Sequence, residues 1–157
     1  MTRPEENFDA IVIGAGVAGA TLALDLGKAG FAVALLESQP INALLERASD
    51  GRTTALGLGN VQYYDRLGIG EVIRDQSGTI DEIRIADEDS PAYLHYHHEL
   101  VSEDPMGFVL ENGVFRKALM DEIAKEKTIE IFDNVQWKSI KQDSHFAQVA
   151  LKDGRAL

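Results

Sequence analysis

The residues with the clearest chemical potential are Gly14, Gly16, Gly19 and Glu37, set in the stretch FDAIVIGAGVAGATLALDLGKAGFAVALLE. The three glycines fall at G-x-G-x-x-G spacing. Gly14 suits a tight strand-to-helix turn, and Gly16 lets the backbone approach a pyrophosphate. Gly19 and Ala23 let the helix lie close to the sheet. The start of that helix offers unpaired N–H groups and a positive dipole end to phosphates. Glu37, at the end of the next apolar run, can accept hydrogen bonds from both hydroxyls of an adenosine ribose and would repel a 2′-phosphate. A glycine pattern alone is weak evidence, because glycines also serve packing. Here strand, glycines, helix, second strand and terminal acid arrive in register, which points to dinucleotide binding and leaves FAD or NAD open.

The positioning elements follow from the pattern. Ala10–Ile13 is an unbroken apolar run, as expected of a parallel strand buried on both faces. Leu22 and Leu26 recur at helical spacing, Gly30 stands where a helix-ending glycine belongs, and Ala32–Leu36 reads as a second strand. Ser38–Ser49 is either a short helix or an irregular loop. Asp50-Gly51 signals a turn, with Arg52 after it and a helix to follow over Asn60–Leu67, stopped by Gly68. Glu71–Gln76 adds a helical turn or two. Ile80, Ile83 and Ile85 alternate with charges as in a half-exposed strand, paired with 92–98 across an Asp89-Ser90-Pro91 turn. Met106–Leu110 is a short apolar run. Asn112 is placed to cap a helix over 113–125, whose inner face is Phe115, Leu119 and Ile123. Thr128–Phe132 reads as a third parallel core strand. Val135–Lys141, His145–Leu151 and a strand begun after Asp153-Gly154 form a meander.

Composition narrows the function classes. The 157 residues carry 15 Lys+Arg against 26 Asp+Glu, a formal charge of −11, and no cysteine. Thiol nucleophiles, disulfides and cysteine metal sites are therefore excluded. Glu71–Pro105 holds ten acids against two arginines, a net −8, which disfavours nucleic acid and anionic lipid and otherwise reads as a solvated face. No run reaches membrane-spanning length, and the polar lead Met1–Asn7 lacks an apolar signal core, so a cytoplasmic location is expected. His95 and His97 would share one face of a strand with His98 opposite. Lacking further ligands nearby, they are expected to be solvent-facing, with no metal site. No G-x-S-x-G elbow or Walker loop appears. The chain stops in mid-element, as a piece of a longer protein would.

About ninety residues separate Glu37 from the third core strand, too many for one crossover helix. That layout, the Gly14–Glu37 fingerprint, the Asp50-Gly51-Arg52-Thr53-Thr54-Ala55-Leu56 segment and Glu111-Asn112-Gly113-Val114-Phe115-Arg116-Lys117-Ala118-Leu119 carry a resemblance over nearly the whole chain. The chain resembles the class A FAD-dependent aromatic hydroxylases, in particular the ubiquinone-biosynthesis hydroxylases. The resemblance implies an α/β, Rossmann-like FAD/NAD(P)-binding fold of the glutathione-reductase type, with a parallel core sheet, a β-meander and an inserted antiparallel hairpin, truncated here. It implies one FAD-binding domain over 1–157, with 78–106 an insertion belonging to the substrate-domain side.

By the same resemblance, Gly14, Gly16 and Gly19 surround the FAD pyrophosphate and Glu37 holds the adenosine ribose. Arg52 lies along the FAD, Arg116 reaches the cofactor from a helix start, and the Val135 backbone meets the adenine edge. Arg116 and Lys117 in the first turns of a helix also oppose its dipole, which a nearby anion would offset; an exposed arginine compensated by Glu111 is the other reading. The family's Asp-Gly and Gly-Asp motifs lie beyond Leu157. In the full-length protein the resemblance implies NAD(P)H as reductant, O₂ as oxidant and a polyprenylated phenol as substrate, with peripheral-membrane or biosynthetic-complex association. No residue of this chain is expected to act as a catalytic acid or base. A non-catalytic dinucleotide-binding module, or an FAD-dependent oxidase or dehydrogenase of the same fold, stands as the alternative. Weak or absent FAD retention by 1–157 is expected, since the flavin-ring side is unfinished.

Overall fold

The computed structural model describes residues 7–46, 51–87 and 92–157. In chain order these form β1 (Ala10–Ile13), α1 (Val17–Lys28), β2 (Val33–Leu36), α2 (Ile41–Glu46), β3 (Thr53–Gly57), α3 (Leu58–Leu67), α4 (Gly70–Gln76), β4 (Gly78–Ile80), β5 (Glu82–Ala86) and β6 (Tyr93–His97). A 3₁₀ turn over His98–Leu100 leads to β7 (Gly107–Glu111), α5 (Asn112–Ile123), β8 (Ile129–Phe132), β9 (Trp137–Gln142) and β10 (Ala147–Leu151). The chain divides into two units, residues 1–48 with 119–157, and residues 49–118, the boundary falling inside α5.

The first unit is α/β. Its sheet has the order β1-β2-β8, all parallel, with Ile13 opposite Leu36 and Leu36 opposite Phe132. β2, flanked on both sides, is the buried strand: Val33, Ala34 and Leu35 are fully enclosed. Among the described residues β1 has one partner, and Ile13 is 42% exposed, so the burial on both faces expected of β1 is not met. Ala34, Leu36, Phe132, Val135, Val149, Leu151 and Leu157 form one apolar cluster, with Phe8 and Ile11 against it.

α1 turns Ala20, Ala23, Leu24 and Gly27 inward, while Leu22 stands 51% exposed. The buried face is thus the small-residue stripe and not the leucine stripe. A Cβ on Gly27 would fall 2.5 Å from the Ile129 side chain, so bulk there would push the helix off β8. Beyond the helix, the Gly30 N–H donates to the Gly27 carbonyl and the Phe31 N–H to the Leu26 carbonyl, with Gly30 at φ +93°. That pair of bonds is a Schellman stop, as the glycine there predicts. β9 and β10 form the antiparallel meander. The third strand expected after Asp153-Gly154 amounts to a single bridge, Ala150 with Ala156.

The second unit centres on β7, which pairs antiparallel with β3 on one side and β4 on the other. Residues 53–57, to which the sequence pattern assigns no element, form a strand that leads directly into α3, and Asp50 of the expected turn lies outside the described residues. A Cβ on Gly107 would meet the Leu56 carbonyl at 2.2 Å, so this glycine permits the close β3–β7 approach. Phe115 and Leu119 are fully buried and Ile123 is 1% exposed, the inner face expected of α5. Ile80 belongs to β4, and only Ile83 and Ile85 sit on the hairpin strand β5, which pairs with β6. The turn at Asp89-Ser90-Pro91 falls outside the described residues. His98 has left the strand: its ring stacks on His97 at 5.0 Å between centroids.

Candidate dinucleotide site

Each fingerprint glycine has its own physical reason. Gly14 sits at φ +101°, a conformation other residues resist. Gly19 has ordinary geometry but no room: a Cβ would lie 1.9 Å from the Gly14 carbonyl oxygen. Gly16 needs neither, with φ −67° as the residue before α1 and nothing within 4 Å of a Cβ placed on it. The protein itself gives no reason for Gly16 to lack a side chain. A ligand lying against the backbone there would. α1 has no side-chain cap on its first amides and no acid in its first turn, so its positive end is left to another group.

Glu37 closes this end of the sheet. Its Oε2 accepts the Ala15 N–H at 2.9 Å, and its Oε1 accepts the Gln39 N–H at 2.9 Å and the Ser38 hydroxyl at 3.0 Å. Burial would raise its pKa, but the bonds from Ala15, Gln39 and Ser38 outweigh that and hold the carboxyl below the usual glutamate range. The carboxylate therefore stays ionised while only 8% exposed. Parallel pairing explains the meeting, since both β1 and β2 end at the same edge of the sheet. The Val135 N–H donates to the Glu37 carbonyl at 3.0 Å, so a backbone contact between Val135 and a base would use its carbonyl. Gly14, Glu37, Ser38, Val135 and Trp137 line a common cavity of about 90 Å³. The unit thus gathers Gly14, Gly16, Gly19, Glu37 and Val135 at one edge.

Arg52 and Arg116 lie in the second unit. The Arg52 carbonyl accepts the Asn112 N–H at 3.0 Å, tying the start of β3 to the start of α5. The Thr54 hydroxyl donates to the Asn112 Oδ1 at 2.6 Å. Because α5 begins at Asn112, Arg116 is its fifth residue, past the turn where the dipole acts most strongly. Burial makes the stronger case. Arg116 is 8% exposed, and it and Glu37 are the charged side chains buried among the described residues. Lys117 is exposed.

Sequence reasoning missed three participants. The Ala15 amide is invisible to a residue-type reading. Ser38 and Trp137 were available, Ser38 as the neighbour of the acid and Trp137 as the lone tryptophan of the chain. Elsewhere, His95 Nε2 engages Glu82 at 2.8 Å, and ligand atoms of half-buried His97 and His98 and of exposed Glu99 lie within 4.8 Å of one another. No helix among the described residues is long and apolar enough to cross a membrane.

The Rhodospirillum rubrum protein named ubiquinone hydroxylase UbiL is 28% identical over 149 residues, covering 95% of this chain and 34% of that protein. The Neisseria meningitidis ubiquinone hydroxylase UbiM is 27% identical over 154 residues, covering 95% of this chain and 33% of its own length. The chain thus spans about a third of the length of the curated relatives it matches. Among solved structures, PqsL of Pseudomonas aeruginosa superposes with a TM-score of 0.75 at 21% identity, over 97% of this chain and 40% of its own, which shows a shared fold. The model of the FAD dependent oxidoreductase family (DAO) matches residues 9–99, more than half of the chain, and the chain belongs to that family.

Proposed function

We propose that this chain is the N-terminal FAD-binding part of a flavin-dependent monooxygenase that hydroxylates a polyprenylated phenol in ubiquinone biosynthesis, with NAD(P)H and O₂ as co-substrates. The observation that carries the cofactor assignment is Gly16, a glycine demanded neither by backbone angle nor by packing, at the uncapped start of α1. The two ubiquinone hydroxylases that align with almost all of this chain support the reaction class.

In this reading the amides at the start of α1 and the bare Gly16 backbone hold the pyrophosphate. Glu37 takes the ribose hydroxyls and rejects a 2′-phosphate, the Ser38 hydroxyl giving up its bond to Oε1 to make room. The Val135 carbonyl faces the base. Arg52 and the buried Arg116 serve the cofactor as cationic partners. The flavin supplies the redox chemistry when bound, and the protein supplies position, polarity and exclusion of water. Residues 78–106, with the exposed β5–β6 hairpin, belong to the substrate side of the full-length protein. The acidic surface is consistent with a small neutral or aromatic substrate and with no nucleic acid.

Equilibrium dialysis against FAD, on a chain extended to the relatives' length, tests the cofactor assignment. Gly16→Val should weaken FAD binding at least tenfold while the melting temperature stays within a few degrees, because its side chain meets no protein atom. Equal FAD binding by both proteins overturns the reading. NADPH oxidation coupled to phenol hydroxylation by a chain extended to the relatives' length tests the reaction; flavin binding without either activity favours the non-catalytic module.

A further inference from the structure

Trp137 is the only tryptophan in the chain, and it stands 51% exposed at the start of β9. Tryptophan is highly buried on average, and here about half of the side chain is open. Its backbone is nevertheless held on both sides. Two residues earlier, Val135 is anchored in the core and donates its N–H to the Glu37 carbonyl at 3.0 Å. Next to it, the Gln136 carbonyl accepts the Lys152 N–H at 2.7 Å. Trp137 itself pairs with Leu151 at the one place where the β9–β10 register shifts. Trp137 thus stands on a fixed base among the residues that line one cavity with Glu37, Ser38 and Gly14.

From this placement we infer that Trp137 is a stacking wall for the purine of the adenine nucleotide, beside the ribose clasp. The inference rests on the cofactor reading above and adds to it a residue that sets affinity at the nucleoside end. A ribose held by Glu37 leaves its base a few ångströms away, with a flat π face to cover. An indole offers the best matched surface for it, and stacking of this kind is worth about tenfold in affinity per base. Ile13 and Leu36 supply apolar surface on the same cavity, so the base would leave water on more than one side.

Because there is one tryptophan, its fluorescence reports this position alone. The protein is titrated with ADP, which does not absorb at the emission wavelength, and in parallel with pyrophosphate, which lacks a base. Saturable quenching or a spectral shift by ADP but not by pyrophosphate is the expected result. Dialysis should then show Trp137→Leu binding ADP and FAD about tenfold more weakly and Trp137→Phe retaining most of the affinity. Circular dichroism melting confirms that both variants fold, as the exposure of the side chain leads one to expect. Unchanged ADP and FAD affinity in Trp137→Leu, or the same fluorescence change with pyrophosphate, overturns the inference and leaves the cofactor reading standing. No ADP binding by the unaltered protein overturns this inference; no FAD binding by a chain extended to the relatives' length overturns the cofactor reading with it.

Discussion

β1 and β3 each feed a helix through a glycine with nearly the same backbone: Gly16 precedes α1 at φ −67°, ψ 175°, and Gly57 precedes α3 at φ −64°, ψ 154°. Neither helix has a side-chain cap or an acid in its first turn, and Gly16, Gly57 and Gly59 all face open space. The neighbours differ. β2 runs parallel to β1 and brings the Glu37 carboxylate to the Ala15 amide. β3 instead pairs with antiparallel β7, which presents its first residue, Gly107, at that end. There the Leu58 N–H donates to the Met106 carbonyl at 3.0 Å, so α3 is closed by backbone. Two similar strand–glycine–helix joints therefore have different uses. What separates them is strand direction, because a parallel neighbour delivers a side chain to the helix start and an antiparallel one delivers a turn.

Substitutions at the two joints test that contrast. The largest effect is expected from Gly19→Ala, where the new methyl would overlap the Gly14 carbonyl and force the first turn of α1 away from β1. A loss of about 3 kcal/mol in a urea titration is expected, near the upper end for overpacking; a loss below about 1 kcal/mol would mean the joint is not close-packed. Glu37→Gln comes next. Since the folded pKa of Glu37 is depressed, its ionised bonds stabilise the protein at neutral pH, and that contribution fades as pH falls through the folded value. Wild type should be the more stable protein near pH 7, with the gap to Glu37→Gln closing on acidification. A gap independent of pH would remove Glu37 ionisation from the account. The smallest effect is expected at the other joint. Gly59→Ala, in the first turn of α3 with free space around it, should raise stability by about 0.5–1 kcal/mol, as replacing a helical glycine does. A decrease would show that the α3 joint has a demand of its own.

The legible parts of the molecule were the local ones. Gly14 to Glu37 could be read because turn, helix, stop and acid each leave a mark within a few residues, and the Gly30 stop formed as its position predicts. β3 could not, because its strand character comes from Glu111 and its neighbours, paired with Thr53 from far along the chain. The inward face of α1 was legible in part: Gly19 and Ala23 mark the close approach to the sheet, while Leu22, apolar and at helical spacing, is exposed. Leucine draws the eye as the apolar residue, yet against a flat sheet the helix gains more from coming close, and Ala20, Ala23 and Gly27 permit that. Arg116 sits one residue further into its helix than the sequence suggests, because Asn112 begins α5 rather than standing before it. Trp137 was passed over because an exposed aromatic leaves no periodic trace.

The pairing of Thr53 with Glu111 also bears on the order of assembly. β2 must find β8, and residues 49–118 lie between them as a separate unit. If that unit forms first, its β3–β7 clasp shortcuts most of the intervening chain, and the remaining closure costs less entropy by on the order of 1 kcal/mol. On a ribosome this would favour an inside-out sequence, with the guest segment setting before the host sheet around it gains β8, which emerges later.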